Sequence, residues 1–574
     1  MADKDNPVGM RKGLTRYGDD EFALFLRKSF IKGAGYGDDA LDRLVIGIAD
    51  TGSDFNPCHG NMSELIEQVR AGVLAAGGLP MAFPTISLHE SFAYPTSMYL
   101  RNLMAMDTEE MLKALPVDAV VLIGGCDKTV PAQVMGALSA DLPFVQLVTG
   151  PMSTGSFRGQ RVGACTDCRR LWADYRADKL DDTAIAEAND ALVPTVGTCG
   201  VMGTASTMAL LAEALGLAPL GSATAPAVSA DRRRVAEQTG QLAVDMARRK
   251  LRPAAFLRPA SFENAMRVLL AVGGSTNAII HLTAMAGRLG MSLSLDRLDE
   301  LSRQTPVIVD LKPSGAGYME DLHAAGGGVR ILNELKDKLD LDVLTVTGRS
   351  LGEELARAPV PDWPQEIVKS ATRPVYEMGG LAVLYGNLAP DGAIIKQAAA
   401  SPELLAHTGK AVVFEDMADL AARIDDPALD VSAEDVLVLR CIGPKGAPGM
   451  PEAGLIPIPK KLARAGVKDM VRISDGRMSG TAAGTIVLHV APEAAAGGPL
   501  ALVQNGDLIR LDVERRELSL LVEDDELKDR QNKHKPSEQI RRRGYEKLFQ
   551  DHVLQAPEGV DFDFLQADKQ EEQA

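Results

Sequence analysis

Residues 119 to 131 read AVVLIGGCDKTVP, an apolar run that ends in two glycines and then presents a thiol, a carboxylate and an amine in succession: Cys126, Asp127 and Lys128. A thiolate suits a soft metal such as iron, a carboxylate suits a hard one such as Mg²⁺, and an ammonium ligates neither. Two further cysteines sit in comparable loops, Cys58 in SDFNPCHGN and Cys199 in VGTCGVMG. Neighbours in this set are roughly 70 residues apart, too far for a local zinc ribbon, so only the folded chain can bring them together. Three thiolates on separate loops would hold an iron-sulfur cluster with one iron position left open as a Lewis acid; the alternative is three small buried side chains. Cys165 and Cys168 form a C-x-x-C in GACTDCRR, but with neither a second pair at metal spacing nor a thioredoxin-like context they read as incidental. Cys441, at the end of DVLVLRC, reads as packing.

Glu90 in SLHESFAYP and Glu452 in GAPGMPEAG lie among loop residues without helical partners, and with Asp127 they offer the hard oxygens that Mg²⁺ prefers. Lys128 beside them must either serve as a counter-ion or lose its charge. A desolvated lysine can do the latter, and CO₂ can then carbamylate it to a carboxylate. Ser479 stands in the Gly-rich turn of RISDGRMSGTAAGT, where a serine is either a cap or turn residue or a base held by backbone amides. GGSTN at residues 273 to 277 is a turn that could also hold an anion at a helix start.

The elements around these residues alternate. Short β-branched runs (RLVIGIAD, VDAVVLIGG, LPFVQLVTGP) interleave with helical patterns such as NMSELIEQVRAGVLAAGG, STMALLAEALGLA and STNAIIHLTAMAGRLG, which predicts a parallel α/β sheet with sites at strand carboxyl ends. A Pro-rich stretch between residues 356 and 380 marks a boundary, giving domains 1–370 and 371–574. Beyond it AVVFED, DVLVLRC, DMVRISD and TIVLHV read as short strands, and ALVQNGDLIRLDVERRELSLLV alternates after an Asn505-Gly506 turn, so the second part is a β-rich barrel or sandwich. A helix is expected near SEQIRRRGYEKLFQDH, and a loose end at KQEEQA.

Composition narrows the classes. With 46% hydrophobic and 24% charged residues the 574-residue chain reads as globular, and its net charge of -17 argues against nucleic acid or an anionic membrane as partner. Apolar runs fall short of the roughly 20 residues needed to span a bilayer, and the first residues lack a signal-peptide core, so a cytoplasmic protein is expected.

Taken in order, PC at 57–58, GCDKT at 125–129, GTCGVMGTAST at 197–207, GGSTNAIIHL at 273–282, GNLAPDGAIIK at 386–396 and VRISDGRMSGT at 471–481 resemble the dihydroxy-acid and sugar-acid dehydratase family over essentially the whole chain. The resemblance implies an N-terminal α/β domain with a parallel sheet, closed over by a C-terminal β-barrel-like domain. It implies that Cys58, Cys126 and Cys199 hold the cluster, that Glu90, Asp127, carbamylated Lys128 and Glu452 surround Mg²⁺, and that Ser479 is the base. Thr481, Ser275 and His281 are candidates for binding the polar substrate tail. LHESFAYPTSMYLRNL looks like the pentonate branch, whose substrates are aldonates such as arabinonate or xylonate and whose products are 2-keto-3-deoxy acids. It also points to a [2Fe-2S] cluster, with [4Fe-4S] as the alternative, and to a homodimer or homotetramer. The same chemistry on the dihydroxy acid of branched-chain amino-acid synthesis is the alternative function. The chain departs from the family's usual P-C-N-x-H: here Pro57-Cys58-His59-Gly60-Asn61 exchanges the Asn and the His.

Overall fold

In a computed structural model, which describes residues 7–534 and 543–568, the β-branched runs of the first half form one parallel sheet. Its strands β1 (Val45–Asp50), β2 (Leu79–Pro84), β3 (Ala119–Gly124) and β4 (Phe144–Val148) lie in the order β2-β1-β3-β4. Every residue of β3 and β4 is buried, as strands covered on both faces must be. Helix Met62–Ala75 packs against Ala230–Arg249, and Arg101–Ala114 packs against Thr129–Ala140. Strand β2 carries Pro80 and Pro84 and escapes a search for β-branched runs; it lies at the sheet edge, where a missing N–H is tolerated.

Because the four strands are parallel, their carboxyl ends share one edge. From that edge β1 runs toward Cys58, β2 toward Glu90, and β3 directly into Cys126, Asp127 and Lys128. Past β4 the chain continues the pattern through a parallel bridge between Pro151 and Thr198, which sets Cys199 beside the same edge. A small hairpin follows β4, formed by β5 (Gly155–Phe157) and β6 (Gln160–Val162).

The second half is a closed barrel rather than a sandwich. Strands β7 (Ala382–Gly386), β8 (Ala389–Ile395), β9 (Ala406–Phe414), β10 (Val436–Leu439), β11 (Arg472–Ser474), β12 (Ile486–Leu488), β13 (Leu508–Asp512) and β14 (Glu517–Leu520) run around it in the order β10-β11-β12-β8-β7-β14-β13-β9. Gly506, at φ +89°, makes the turn that enters β13, and β13 and β14 then pair as a hairpin. Between helix Leu351–Arg357 and β7 the chain has neither helix nor strand, and it is tied back to the first half by bridges Val309–Val368 and Val307–Tyr376. No described helix is long and apolar enough to cross a membrane.

The last described segment joins the halves. Of the helix expected from residue 537, Gly544–His552 is present, while 537–542 and the KQEEQA end lie outside the described residues. Phe549, Val553, Val560 and Phe562 pack on Met98, Tyr99, Ile280 and Met450. Beneath them Arg101 donates to the carbonyls of Gly559 (2.9 Å) and Val560 (2.8 Å), and Arg288 pairs through two bonds with Asp561 at 2.6 and 3.0 Å, both side chains fully buried. Removing one partner of a buried pair strands the other charge. Asp561→Ala is therefore expected to lower unfolding free energy in urea by about 3 kcal/mol; a loss below about 1 kcal/mol would mean that Ser139 and Glu109 suffice to hold Arg288.

Candidate metal centre and active site

The turn after β3 is held by close approach and by one histidine. A Cβ on Gly125 would fall 1.7 Å from Thr149 Oγ1, and one on Gly124 would fall 2.5 Å from Gln133 Oε1, so both glycines are there for space; neither takes a positive φ. His59 Nε2 accepts the amides of Gly125 (2.9 Å) and Cys126 (3.0 Å), while its Nδ1 faces the Thr51 carbonyl at 2.8 Å. Two donors on Nε2 require a neutral ring with its proton on Nδ1, and burial, opposed by the Thr51 carbonyl, brings the pKa down to about 4. The exchanged Asn61 acts elsewhere, donating to the carbonyls of Thr149 and Ala227, both at 3.0 Å.

Around this turn the sulfurs gather. Sγ of Cys58 and Cys126 and a ring nitrogen of His89 lie within 4.8 Å of one another. The loop of Cys199 is fixed to that of Cys58 by Gly197 N–H on the Pro57 carbonyl (3.2 Å), and Thr149 Oγ1 donates to the Cys58 carbonyl (2.8 Å). The sulfurs of Cys165 and Cys199 are 3.4 Å apart, so the C-x-x-C that reads as incidental stands against a predicted ligand. The Cys58 thiol is pushed well up, first by the Cys126 sulfur and then by burial, and the Cys199 thiol likewise by Cys165 and burial. Thiols packed in this way cannot all ionise without a cation among them, which is the behaviour of a metal-binding set.

Next to the thiols is a nest of carboxylates. Oxygens of Glu90, Asp127 and Glu452 lie within 4.8 Å of one another, with Cys126 Sγ 3.5 Å from Asp127 Oδ1. Lys128, 0% exposed, touches Asp127 and lies 3.6 Å from both Glu90 and Glu452. Burial and Arg477 oppose its charge, yet the three carboxylates hold its proton more firmly than usual. Arg477, equally buried, donates to Glu452 (2.6 Å) and Thr96 (2.7 Å). Burial works against Glu90, but Lys128, Arg477 and the hydroxyls of Ser97 and Thr96 keep it well below the usual range; burial pushes Glu452 up. Three carboxylates against two cations leave one negative charge, an excess that suits a divalent ion.

The barrel delivers Ser479 on the loop between β11 and β12. Its Oγ faces Thr481 Oγ1 at 2.9 Å and the Thr481 amide at 3.4 Å. Asn277 spans the two sets, donating to Glu452 Oε1 (3.4 Å) and to the Met478 carbonyl (3.1 Å). Ser275 bonds Thr204 (2.8 Å) and backs this loop, since a Cβ on Gly480 would lie 2.6 Å from Ser275 Cβ. His281 Nδ1 meets Arg101 at 3.2 Å, and its buried Nε2 finds no partner among the described residues. The parts played by Arg477, Asn277 and His59 escape the sequence reading although all three lie inside or beside quoted motifs, because those parts depend on contacts across the chain.

Lys396, the last residue of GNLAPDGAIIK, is buried behind the loop and donates to the Gly480 carbonyl at 3.2 Å. No carboxylate of the described residues pairs with it, and burial brings its pKa down to about 7. Between that value and the ordinary 10.5 the unfolded chain binds a proton that the folded chain does not. Stability therefore rises with pH across this window, and the penalty is complete below it. Lys396→Met is expected to remove a rise on the order of a few kcal/mol between pH 7 and 10, read as the wild-type minus variant difference in urea unfolding; equal pH slopes would show Lys396 to be charged in the folded protein.

Comparison with known proteins agrees with this organisation. Residues 43–354 match the N-terminal region of the dihydroxy-acid/6-phosphogluconate dehydratases, and residues 366–560 match the C-terminal region. The chain is 45% identical to a 6-deoxy-6-sulfo-D-gluconate dehydratase of Pseudomonas putida, over 99% of this chain and 98% of that one. It is 46% identical to an L-arabonate dehydratase of Azospirillum brasilense over 96% of each. A dihydroxy-acid dehydratase of Clostridium botulinum is 37% identical over 93% of this chain and 97% of its own.

Proposed function

The chain belongs to the dihydroxy-acid/6-phosphogluconate dehydratase family, and we propose that it is a hydro-lyase that converts a sugar acid, an aldonate such as L-arabinonate or D-xylonate, to its 2-keto-3-deoxy acid. The observation that carries this reading is the meeting of three donor sets at one seam: buried thiols, a carboxylate nest, and a serine hydroxyl on the facing loop. Cys58, Cys126 and Cys199 would hold a [2Fe-2S] cluster, and Glu90, Asp127, Glu452 and Lys128 would hold Mg²⁺, the last as a carbamate once the metal's charge displaces the proton that these carboxylates hold on the bare amine. When bound, these groups supply Lewis acidity, which makes the 3-hydroxyl a better leaving group and the C2 proton more acidic.

The chain's own residues do the rest. Ser479 removes the C2 proton. A serine hydroxyl is normally too weak an acid for this, so its alkoxide needs donors, and the Thr481 hydroxyl and amide stand at that oxygen. Arg169 Nε, 3.5 Å from Thr481 Oγ1, and Lys468 both line the adjoining cavity of about 650 Å³ and offer positive charge to an anionic substrate, while Arg176 and Lys179 there are paired with Asp425 and Asp174. Ser275 and Asn277 keep the serine loop against the nest. Thr481, Ser275 and His281 remain the candidates for the sugar hydroxyls. A cytoplasmic location, carried from the sequence reading, and a homodimer or homotetramer, carried from the resemblance, complete this proposal.

Purified enzyme offered pentonates, hexonates and 2,3-dihydroxy-isovalerate is expected to release 2-keto product from the sugar acids; turnover confined to the branched acid would replace the substrate assignment. Ser479→Ala is expected to lower kcat by about 10²–10⁴-fold with little change in KM. Lys128→Arg, which retains the cation but cannot be carbamylated, is expected to abolish activity, and its survival would remove Lys128 from the ligand set.

A further inference from the structure

Among the described residues, the hydrogen-bond partners of Ser479 Oγ both belong to Thr481: its hydroxyl at 2.9 Å and its amide at 3.4 Å. An N–H at that distance is a weak donor to a neutral hydroxyl, and it tightens once the oxygen carries charge. The amide also has a far side. It belongs to the same peptide unit as the Gly480 carbonyl, and that carbonyl accepts Lys396 Nζ at 3.2 Å. In a planar, resonance-coupled peptide a donor on the oxygen draws electron density from the nitrogen, which makes the N–H a stronger donor in its turn.

That peptide is clamped on both sides. Lys396 directly follows β8, whose Ile395 pairs with Val487 of β12. Past it the Ala399 carbonyl accepts the Gly484 amide at 2.8 Å, and the Ser401 amide donates to Thr485 Oγ1 at 3.2 Å, so residues 395–401 run alongside the serine loop. On the other side Gly480 presses on Ser275 and Thr204, the Ala482 amide closes on the Ser479 carbonyl at 3.0 Å, and Thr166 Oγ1 holds the Thr481 carbonyl at 2.9 Å. The N–H is thereby kept toward the serine and the carbonyl toward the lysine. A buried amine is a costly way to fill this place: Lys396 is 0% exposed and has no carboxylate partner among the described residues, and a methionine would occupy a similar volume with nothing to desolvate. What the amine adds is the donor.

We propose that Lys396 is a positioning residue for the base, holding and polarising the Gly480–Thr481 peptide so that its N–H takes up part of the negative charge of the Ser479 alkoxide. The proposal rests on the functional reading above and deepens it, since it adds to Thr481 the support that so weak an acid as a serine hydroxyl requires. Lys396 neither gives nor takes the C2 proton, which passes to Ser479 Oγ; the lysine acts through the peptide alone.

The test uses the full chain loaded with iron, sulfide and Mg²⁺, with variants compared at equal metal content. Lys396→Met is expected to lower kcat on L-arabinonate on the order of tenfold, to leave KM within about twofold, and to show a C2-deuterium isotope effect no smaller than that of wild type. Lys396→Gln, which restores an N–H, is expected to be the more active of the two although the less stable in urea, an order that packing alone would reverse. If neither variant folds, the peptide itself answers. Replacing the Gly480–Thr481 amide by an ester, with Thr481 introduced as its α-hydroxy acid, removes the N–H and leaves both side chains, and it is expected to lower kcat about as much as Lys396→Met does. Where both changes fold, combining them is expected to cost little more than either. A folded, loaded Lys396→Met with the wild-type kcat, a Lys396→Gln no more active than Lys396→Met, an ester with the wild-type kcat, or losses that multiply would each overturn the inference and leave the functional reading intact. A loaded wild type that dehydrates no sugar acid overturns the functional reading itself.

Discussion

The neutral imidazole of His59, accepting two consecutive amides from the turn after β3, is the contact on which the site's geometry depends. Cys126, Asp127 and Lys128 are successive residues that must diverge toward different neighbours, and side chains on a mobile turn would not hold such a divergence. Pinning the amides of Gly125 and Cys126 to one nitrogen fixes the backbone, and the missing Cβ of Gly125 lets that backbone press on Thr149. Thr149 in turn bonds the Cys58 carbonyl. One ring and one glycine thereby set the spacing between the thiols and the carboxylates.

That spacing puts opposed demands on a small buried volume. The carboxylates of Glu90, Asp127 and Glu452 repel one another, and Lys128 and Arg477 neutralise them incompletely, while the thiols a few ångströms away resist ionising together. An isolated buried charge of this kind is costly, and such arrangements persist where a bound cation completes them. The nest is polar and its carboxylates stay partly open to solvent, with Thr96, Ser97 and Asn277 directing their donors onto carboxylate oxygens.

Three of the four sheet strands, six of the eight barrel strands and the loop residues of unusual chemistry beside them are legible in the sequence because each depends on local pattern, whereas β2, β7 and β8 carry no such run. The contacts that organise them are not legible, because they are long-range. Arg477 reaches Thr96 across 381 positions, and Asn277 reaches Met478 across 201. Cys165 is the instructive case: its local motif carries no metal spacing, and its contact with Cys199, 34 positions away beyond two helices, is made only in the fold. His59 and Asn61 show the same limit, since a swapped pair in a motif gives no sign of which residue meets the turn amides.

The alignment of Ser479 follows from the seam between the halves more than from its own loop. Gly480 stands where any Cβ would meet Ser275 Cβ and the Thr204 amide, and Gly203 stands where one would meet Thr481 Cγ2, so two backbones from different halves approach to a distance that side chains forbid. Behind them Lys396 contributes a donor to the Gly480 carbonyl without bringing a partner anion into the seam. An amine that burial drives toward neutrality can satisfy that carbonyl without adding a fixed positive charge beside the serine, whereas an arginine there would remain charged. The serine's oxygen is thus left to Thr481, whose hydroxyl and amide face it, with Arg169 on the far side of the Thr481 hydroxyl.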